Sequence, residues 1–198
     1  MEKQLIITIG RQYGSRGHQI GEKLAEKLGI ELYDRNLLDE VAIANGATSE
    51  ELSKYDEKPK KRFLSRTVRG MSNNPAEAVA ELQFALLKSK AADGDSFVLI
   101  GRCGDQIFKG LAPHVSIYIT ADYEDKLNRI MTHRSFSKKE AEKAILRHDK
   151  NRAAYHDHFC STKWDEASSY DLIVNMSKTG IDGAVDLIYD YVTKYLQK

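Results

Sequence analysis

Short apolar runs rich in β-branched residues recur along the chain and alternate with longer segments that have helical spacing. Runs at Leu5–Ile9, Phe97–Ile100, Val115–Ile119 and Leu172–Val174 predict strands, and a shorter run at Ile30–Tyr33 predicts a fifth. Each run is apolar almost throughout, which is typical of strands buried on both faces. The pattern therefore predicts an α/β protein with a parallel sheet between helices.

The segments between these runs carry apolar residues three and four positions apart, as a helix with one buried face requires. The stripes are Ile20, Leu24 and Leu28; Val79, Leu82 and Leu86; Leu127, Ile130 and Met131; and Val185, Ile188, Val192 and Leu196. Gly180 and Ile181 lead into the last stripe. We expect this final helix to close a single domain over residues 1–198.

Residues 45–75 interrupt the alternation. They contain two of the three prolines and few large apolar side chains, so this segment is predicted to leave the core. It also contains a basic cluster, made of Lys58, Lys60, Lys61, Arg62, Arg66 and Arg69. The cluster is either a solvated surface or a flap that contacts an anionic substrate or a partner.

The composition restricts the class of protein. A net charge of +1 gives no general attraction to nucleic acid or membranes, and the basic cluster lacks interleaved aromatic side chains for base stacking. Apolar runs are too short for a signal peptide or a membrane span. We therefore expect a cytoplasmic protein in which Cys103 and Cys160 are reduced.

Four glycines occur where the first strand gives way to the first helix. Gly10, Gly14, Gly17 and Gly21 allow positive φ angles and a close approach of the backbone to a ligand. The helix should begin near Gly17, where its free N–H groups favour an anion. Neither G-x-x-x-x-G-K-[ST] nor G-x-G-x-x-G occurs in the chain. The pattern favours anion binding over a simple tight turn.

Four segments carry a resemblance to a known family. They are "ITIGRQYGSRGHQIGEKLAEKLGIELYDRNLL", "FVLIGRCGDQI", "ILRHDKNRAAYHDHF" and "YDLIVNMSKTGIDGAVDLI". These four segments, in this order along the chain, resemble the corresponding segments of the cytidylate kinase-like family. The resemblance implies a three-layer P-loop NTPase fold with a parallel central sheet, a helical lid at 132–160 and a helical insertion on the acceptor side at 45–95.

The resemblance also implies roles for the glycine loop. Gly17 takes the place of the last loop glycine, His18 that of the lysine, Gln19 that of the magnesium-binding hydroxyl, and Gln12 that of the first loop glycine. The predicted ATP-phosphate site comprises Gly14, Ser15, Arg16, Gly17, His18 and Gln19. Nearby phosphate would raise the pKa of His18, Arg16 would add charge, and Ser15 would replace the missing magnesium ligand.

By resemblance, two residues at strand ends are predicted to bind the acceptor. Arg102 follows an apolar strand, so it should point into the crevice where open α/β sheets bind ligands. The alternative interpretation of Arg102 is a surface arginine or a structural ion pair with Asp105. Asp34 matches the acidic start of the family's acceptor segment, and its alternative is a cap for the helix beginning near Leu37. Cys103 stands where the cytidylate kinases have aspartate.

The segment 137–156 is predicted to be the lid helix. Ser137 and Glu140 form a capping box, and Lys143, Arg147 and Lys150 form an exposed cationic stripe. Arg152 instead falls on an apolar face, with Asp149 in reach as a partner. By resemblance, Arg152 and Asp149 meet the phosphates and the acceptor. The predicted catalytic residues, which would stabilise charge on the transferring phosphoryl group, are His18, Arg134, Arg147 and Arg152.

The sequence "HDHFC" spaces His156, His158 and Cys160 by two, which does not place all three on one helical face. We interpret it as a helix end with solvated histidines rather than a metal site. The expected function is transfer of a phosphoryl group from ATP, with Mg²⁺, to a small-molecule nucleotide such as CMP or dCMP. A non-catalytic nucleotide-binding module and a Rossmann-type dinucleotide enzyme are the alternatives.

Overall fold

The computed structural model describes residues 3–34, 36–46, 48–54, 67–68, 71–72, 74–111 and 113–197. The basic cluster of residues 58–69 lies outside the described residues, so both interpretations of it stay predictions.

The elements alternate between strands and helices as the apolar pattern predicts. In chain order they are β1 (Ile6–Arg11), α1 (Gly17–Leu28), β2 (Glu31–Tyr33), α2 (Leu37–Asn45), α3 (Ser49–Ser53), β3 (Thr67–Val68), β4 (Met71–Ser72), α4 (Pro75–Ala92), β5 (Phe97–Ile100), α5 (Gly104–Ile107), β6 (His114–Thr120), α6 (Tyr123–Arg134), α7 (Lys138–Phe159), β7 (Leu172–Asn175) and α8 (Met176–Leu196). All five predicted strands are confirmed, with ends that agree within two residues.

Five strands form one parallel sheet in the order β2-β5-β1-β6-β7, and β3 pairs with β4 in a separate short hairpin. The first strand therefore lies between β5 and β6. In the Rossmann order the first strand pairs with the second, so the Rossmann-type alternative is wrong.

Apolar side chains alternate between the two faces of β1 and fill a core on each side. Ile7 and Ile9 pack against α1 and α8, whereas Ile6 faces the cluster that contains Ala80 and Leu87 of α4. Helices thus cover both faces of the sheet, which confirms the three-layer α/β prediction. No helix in the described ranges is long and apolar enough to cross a membrane.

Candidate functional site

The loop between β1 and α1 lies at the carboxyl end of the central strand. Gly14 has φ 86° and Arg16 has φ 62°, so the chain turns through the left-handed region before α1. A Cβ on Gly17 would lie 2.6 Å from Arg11 Cβ, which leaves room for glycine only. The described first turn of α1 holds no acidic residue and no side-chain cap. Its N–H groups and dipole therefore favour an anion.

A cleft of about 1460 Å³ opens above this loop and is strongly cationic. Its lining includes Arg11, Arg16, Arg102, Arg129, Arg134 and Arg152. Three histidines also face it, His18, His133 and His148, against the carboxylates of Asp34, Asp39 and Glu50. Guanidinium groups bind phosphate oxygens through paired hydrogen bonds, so this cleft is suited to a polyanionic ligand.

His18 lies half-exposed at the edge of the loop, between two carboxylates. Its Nδ1 is 3.0 Å from Asp34 Oδ2 and its Nε2 is 3.2 Å from Glu22 Oε1. The hydrogen bond with Asp34 outweighs partial burial and raises the pKa of His18, with further help from the charge of Glu22. The shift favours the imidazolium form, which would give the edge of the loop a cation.

Asp34, directly after β2, links the loop to the part of the cleft lined by α2. Burial by itself would raise the pKa of Asp34, but the hydrogen bond from His18 and the charges of Arg11 and Arg102 hold it below its usual range. Asn36 occupies the N-cap position of α2, and its Oδ1 accepts a hydrogen bond from the Asp34 N–H at 2.7 Å. The interpretation of Asp34 as a helix cap is therefore wrong, because its carboxylate contacts His18.

Arg102 is 2% exposed, so the interpretation of a surface arginine is wrong. Its Nη2 donates to the Asp34 carbonyl oxygen at 3.4 Å, and the guanidinium lines the cleft. Gly101, Arg102 and Cys103 all have positive φ, in a turn that aims the side chain of Arg102 into the crevice. Left-handed non-glycine residues cost of order 1–3 kcal/mol each and cluster at ligand sites.

The lid helix α7 is docked directly on the glycine loop. Asp149 Oδ1 accepts from the Tyr13 N–H at 2.6 Å, and Arg152 Nη1 donates to the Arg11 carbonyl oxygen at 3.1 Å. His148 stacks on Tyr13 with ring centroids 4.1 Å apart. Burial raises the pKa of Asp149. Asp149 therefore fixes the loop, and among the two it is Arg152 that lines the cleft.

The two remaining arginines of the predicted lid differ in whether they line the cleft. Arg134, at the end of α6, lines the cleft, whereas Arg147 is exposed and lies outside the described lining. Arg11 and Arg129 line the cleft but escaped the sequence analysis. Burial, and then the charge of Arg16, lowers the pKa of Arg129, which indicates crowding of cations. The capping box of Ser137 and Glu140 is confirmed.

Polar side chains hold the loop from behind. Gln12 Oε1 accepts from Thr120 Oγ1 at 2.7 Å and from Lys126 Nζ at 2.9 Å, and Lys126 is only 6% exposed. The Ser15 hydroxyl donates to the Gln12 carbonyl oxygen at 2.9 Å. Gln19 Oε1 is buried and has no hydrogen-bond partner among the described residues. These contacts fix the backbone of the loop against β6 and α6.

The interpretation of solvated histidines at the end of α7 is wrong for His156, whereas His158 is exposed. His156 is 4% exposed, and its Nε2 is 2.8 Å from Asp105 Oδ2. His158 Nε2 is 3.0 Å from Glu77 Oε1. Spacing by two separates the histidines onto different faces, and one of these faces turns toward the core.

Known proteins resemble this chain over most of its length. The profile of the cytidylate kinase-like family matches residues 6–178. A cytidylate kinase from Methanococcus vannielii is 28% identical over 188 residues, covering 93% of this chain and 97% of the relative. Because the alignment covers nearly the whole of both chains, the match is not confined to the glycine loop.

Solved structures agree with this fold. An uncharacterized protein from Eubacterium ventriosum has 31% identity and a TM-score of 0.75 over 96% of this chain and 99% of that one. A shikimate kinase from Bacteroides thetaiotaomicron has a TM-score of 0.56 at 12% identity, over 96% and 98%, and shows the fold alone. The family match and this sheet together establish that the chain belongs to the cytidylate kinase-like family.

Proposed function

We propose that this protein transfers the γ-phosphoryl group of ATP to a nucleoside monophosphate, with CMP or dCMP as the acceptor. The observation that carries the proposal is the convergence of arginines from three places on one cleft. These are the glycine loop, the turn after β5 and the α6–α7 lid. Membership of the cytidylate kinase-like family supports the nucleotide acceptor.

The loop is the proposed donor site. Backbone N–H groups of residues 14–18 would surround the phosphates of ATP at the start of α1. His18, whose pKa is raised by Asp34 and Glu22, would supply in its protonated form the charge that lysine gives other P-loops. Arg16 adds a permanent cation beside it.

The acceptor phosphate would bind to Arg102, which is buried and aimed into the cleft by its turn. Asp34 would meet the acceptor on the same side. Arg134 and Arg152 would then stabilise the negative charge that spreads over the transferring oxygens. Positioning and charge supply the acceleration, and no dedicated general base is required.

The described residues fit a magnesium ion that arrives with the nucleotide. Mg²⁺ is held mainly by phosphates and water, with few protein oxygens. The Ser15 hydroxyl is engaged by the loop backbone, whereas the buried Gln19 Oε1 has no hydrogen-bond partner among the described residues. By its place in the loop, Gln19 is the residue we propose for this contact; its side chain lies outside the described lining of the cleft and would have to turn toward the phosphates. The ion would neutralise charge on the β- and γ-phosphates.

The test is a panel of nucleoside monophosphates with ATP and Mg²⁺, followed by direct measurement of nucleoside diphosphates. We expect CDP or dCDP as the main product. Arg152→Gln should lower kcat about a hundredfold, because it removes a cation from the transferring group. Lys143→Gln, on the exposed face of the same helix, is the matched control and should retain activity.

A second candidate is a non-catalytic module that binds nucleotide on the same fold. The observation in its favour is that both ring nitrogens of His18 contact carboxylates. While these contacts persist, neither nitrogen is available to bind a phosphate oxygen. Nucleotide-dependent thermal shifts without diphosphate production across the whole panel would replace the kinase with this module.

A further inference from the structure

Both cysteines of the chain meet beneath the cleft. Cys103 follows Arg102 in the turn after β5 and is 4% exposed, while Cys160 is the C-cap of the lid helix α7. The Cys103 thiol is hydrogen-bonded to Cys160, and both residues belong to one apolar cluster. Both cysteines are described, and no disulfide joins them. These are the two cysteines of the chain, so both of its thiols lie at one site.

An imidazole and a carboxylate complete the arrangement. His156 lies one helical turn before Cys160, and Asp105 fixes its Nε2 at 2.8 Å. One side-chain donor atom from each of Asp105, His156 and Cys160 lies within 4.8 Å of the others. A thiol beside an oriented imidazole is the arrangement that activates cysteine as a nucleophile.

The electrostatics agree with this geometry. The hydrogen bond from Cys103 and the contact with His156 lower the pKa of Cys160 to about 7, although burial opposes the shift. Burial disfavours the charged form of His156, but its hydrogen bond to Asp105 and the nearby Cys160 thiol raise the pKa to about 10. A neutral solution therefore holds a large fraction of Cys160 as thiolate, next to an imidazolium.

We propose that Cys160 and Cys103 form a dithiol switch that responds to hydroperoxides. The Cys160 thiolate attacks a peroxide oxygen, the O–O bond breaks, and the leaving oxygen takes a proton to become water or an alcohol. Cys160 is then a sulfenic acid. The Cys103 sulfur attacks it, the S–O bond breaks, and water leaves with the Cys103 proton. Two electrons pass from the two thiols to the peroxide, and a disulfide remains.

The disulfide would tie the end of the lid helix to the turn that carries Arg102. Arg102 and Cys103 are consecutive residues of one left-handed turn. A shift of the Cys103 backbone on forming the disulfide would therefore displace the guanidinium of Arg102. Arg152 is on the helix at the other end of the bridge. This consequence rests on the proposed function: the oxidised protein should lose acceptor affinity and recover it after treatment with a dithiol reductant.

The chemical test needs no nucleotide. Reduced protein is treated with hydrogen peroxide, and its thiols, intact mass and non-reduced peptide map are measured. We expect both thiols to disappear together with loss of two hydrogens and no dimer. Cys103→Ser should stop at the sulfenic acid, which a dimedone-type probe captures, and Cys160→Ser should form neither product.

Three results would overturn the switch. One is retention of both thiols under conditions that oxidise a known peroxide-sensitive protein. The second is a disulfide formed only between molecules. The third is stoichiometric zinc in the purified protein, because Asp105, His156 and Cys160 also suit that metal, which would occupy the thiolate.

His156 is tested as a positioning residue through the alkylation rate of Cys160 by iodoacetamide in the Cys103→Ser background. Loss of the imidazolium raises the pKa of the Cys160 thiol, which lowers the thiolate fraction at pH 7 but increases the nucleophilicity of the thiolate that remains. The net loss expected for His156→Asn is about threefold. His158→Asn, which contacts Glu77 instead, is the matched control and should not change the rate.

The two proposals fail in different ways. If the disulfide forms but no nucleotide is phosphorylated, the switch survives and the kinase does not. If nucleotides are phosphorylated and peroxide leaves both thiols intact, the kinase survives alone. In a working kinase, Cys160→Ser should make turnover insensitive to peroxide, and continued loss of activity in that variant would contradict the role of the bridge.

Discussion

At the scale of single residues, the central feature is His18, a histidine at the position where the family resemblance predicts the loop lysine. Asp34 and Glu22 raise the pKa of His18, so its cationic form is complete below the ordinary value of about 6.5 and is lost as the pH rises through the raised value. A lysine in the same place would keep its charge to much higher pH.

This predicts a falling alkaline limb in the activity of the wild-type protein. The measurement is kcat against pH with saturating ATP and acceptor, for wild type, His18→Lys and His18→Gln. The lysine variant should extend the limb to higher pH, and the glutamine variant should lose about a hundredfold of kcat. An unaltered rate in His18→Gln would show that the imidazolium does not act on the phosphates.

Arg102 gives a second prediction at this scale. Lysine keeps the charge but cannot make the paired hydrogen bonds of a guanidinium. Arg102→Lys should therefore raise KM for the monophosphate about tenfold or more, with KM for ATP nearly unchanged. Equal effects on both substrates would indicate a fault in folding of the buried turn, and circular dichroism with thermal melting checks for that.

Several contacts of these residues could not be predicted from sequence. His18 and Asp34 lie on different elements, and only the approach of α1 to the end of β2 brings them together. Arg129 looked like any exposed helical cation, because its place depends on how α6 lies over the loop. His156 lay on a face whose burial depends on the position of α5.

At the scale of elements, the strands were predictable and the faces of helices were less so. The strands are buried on both faces, so their apolar runs are continuous and unmistakable. In α4 the predicted stripe of Val79, Leu82 and Leu86 is offset, since Ala80, Gln83 and Leu87 are buried with Val79. A buried glutamine breaks the apolar period and moves the stripe by one residue.

The join between β1 and α1 supplies the prediction at this scale. Gly17→Ala places a methyl group 2.6 Å from Arg11 Cβ, so the loop or the strand must shift. We expect a loss of about 1–3 kcal/mol in the free energy of unfolding, together with weaker ATP binding. Gly183→Ala, in the interior of α8 with its nearest neighbour at 3.6 Å, is the control and should be neutral or stabilising.

Urea unfolding followed by tryptophan fluorescence measures the first effect, and calorimetric titration of ATP measures the second. If Gly17→Ala were as stable as the wild type and bound ATP equally well, the tight packing of the loop on β1 would not be what shapes the donor site.

At the scale of the whole molecule, the sheet order places the glycine loop and the turn with Arg102 after adjacent strands. The loop follows β1, the turn with Arg102 follows β5, and these two strands pair in register. Parallel strands present their carboxyl ends on one edge, so the loop and the turn open into one cleft that residues of α6 and α7 also line. This juxtaposition follows from topology, which no single motif specifies.

A continuous cleft predicts that one molecule can fill both half-sites. Adenosine and cytidine joined by a polyphosphate chain of suitable length should bind about a hundredfold or more tighter than ATP or CMP alone, because the second contact becomes intramolecular. Calorimetric titration measures the affinities, and thermal melting should show the largest stabilisation with the joined ligand. Arg102→Lys should remove most of this advantage while leaving the affinity for ATP intact. A joined ligand that binds no better than ATP would mean that the loop and the turn after β5 do not serve one reaction.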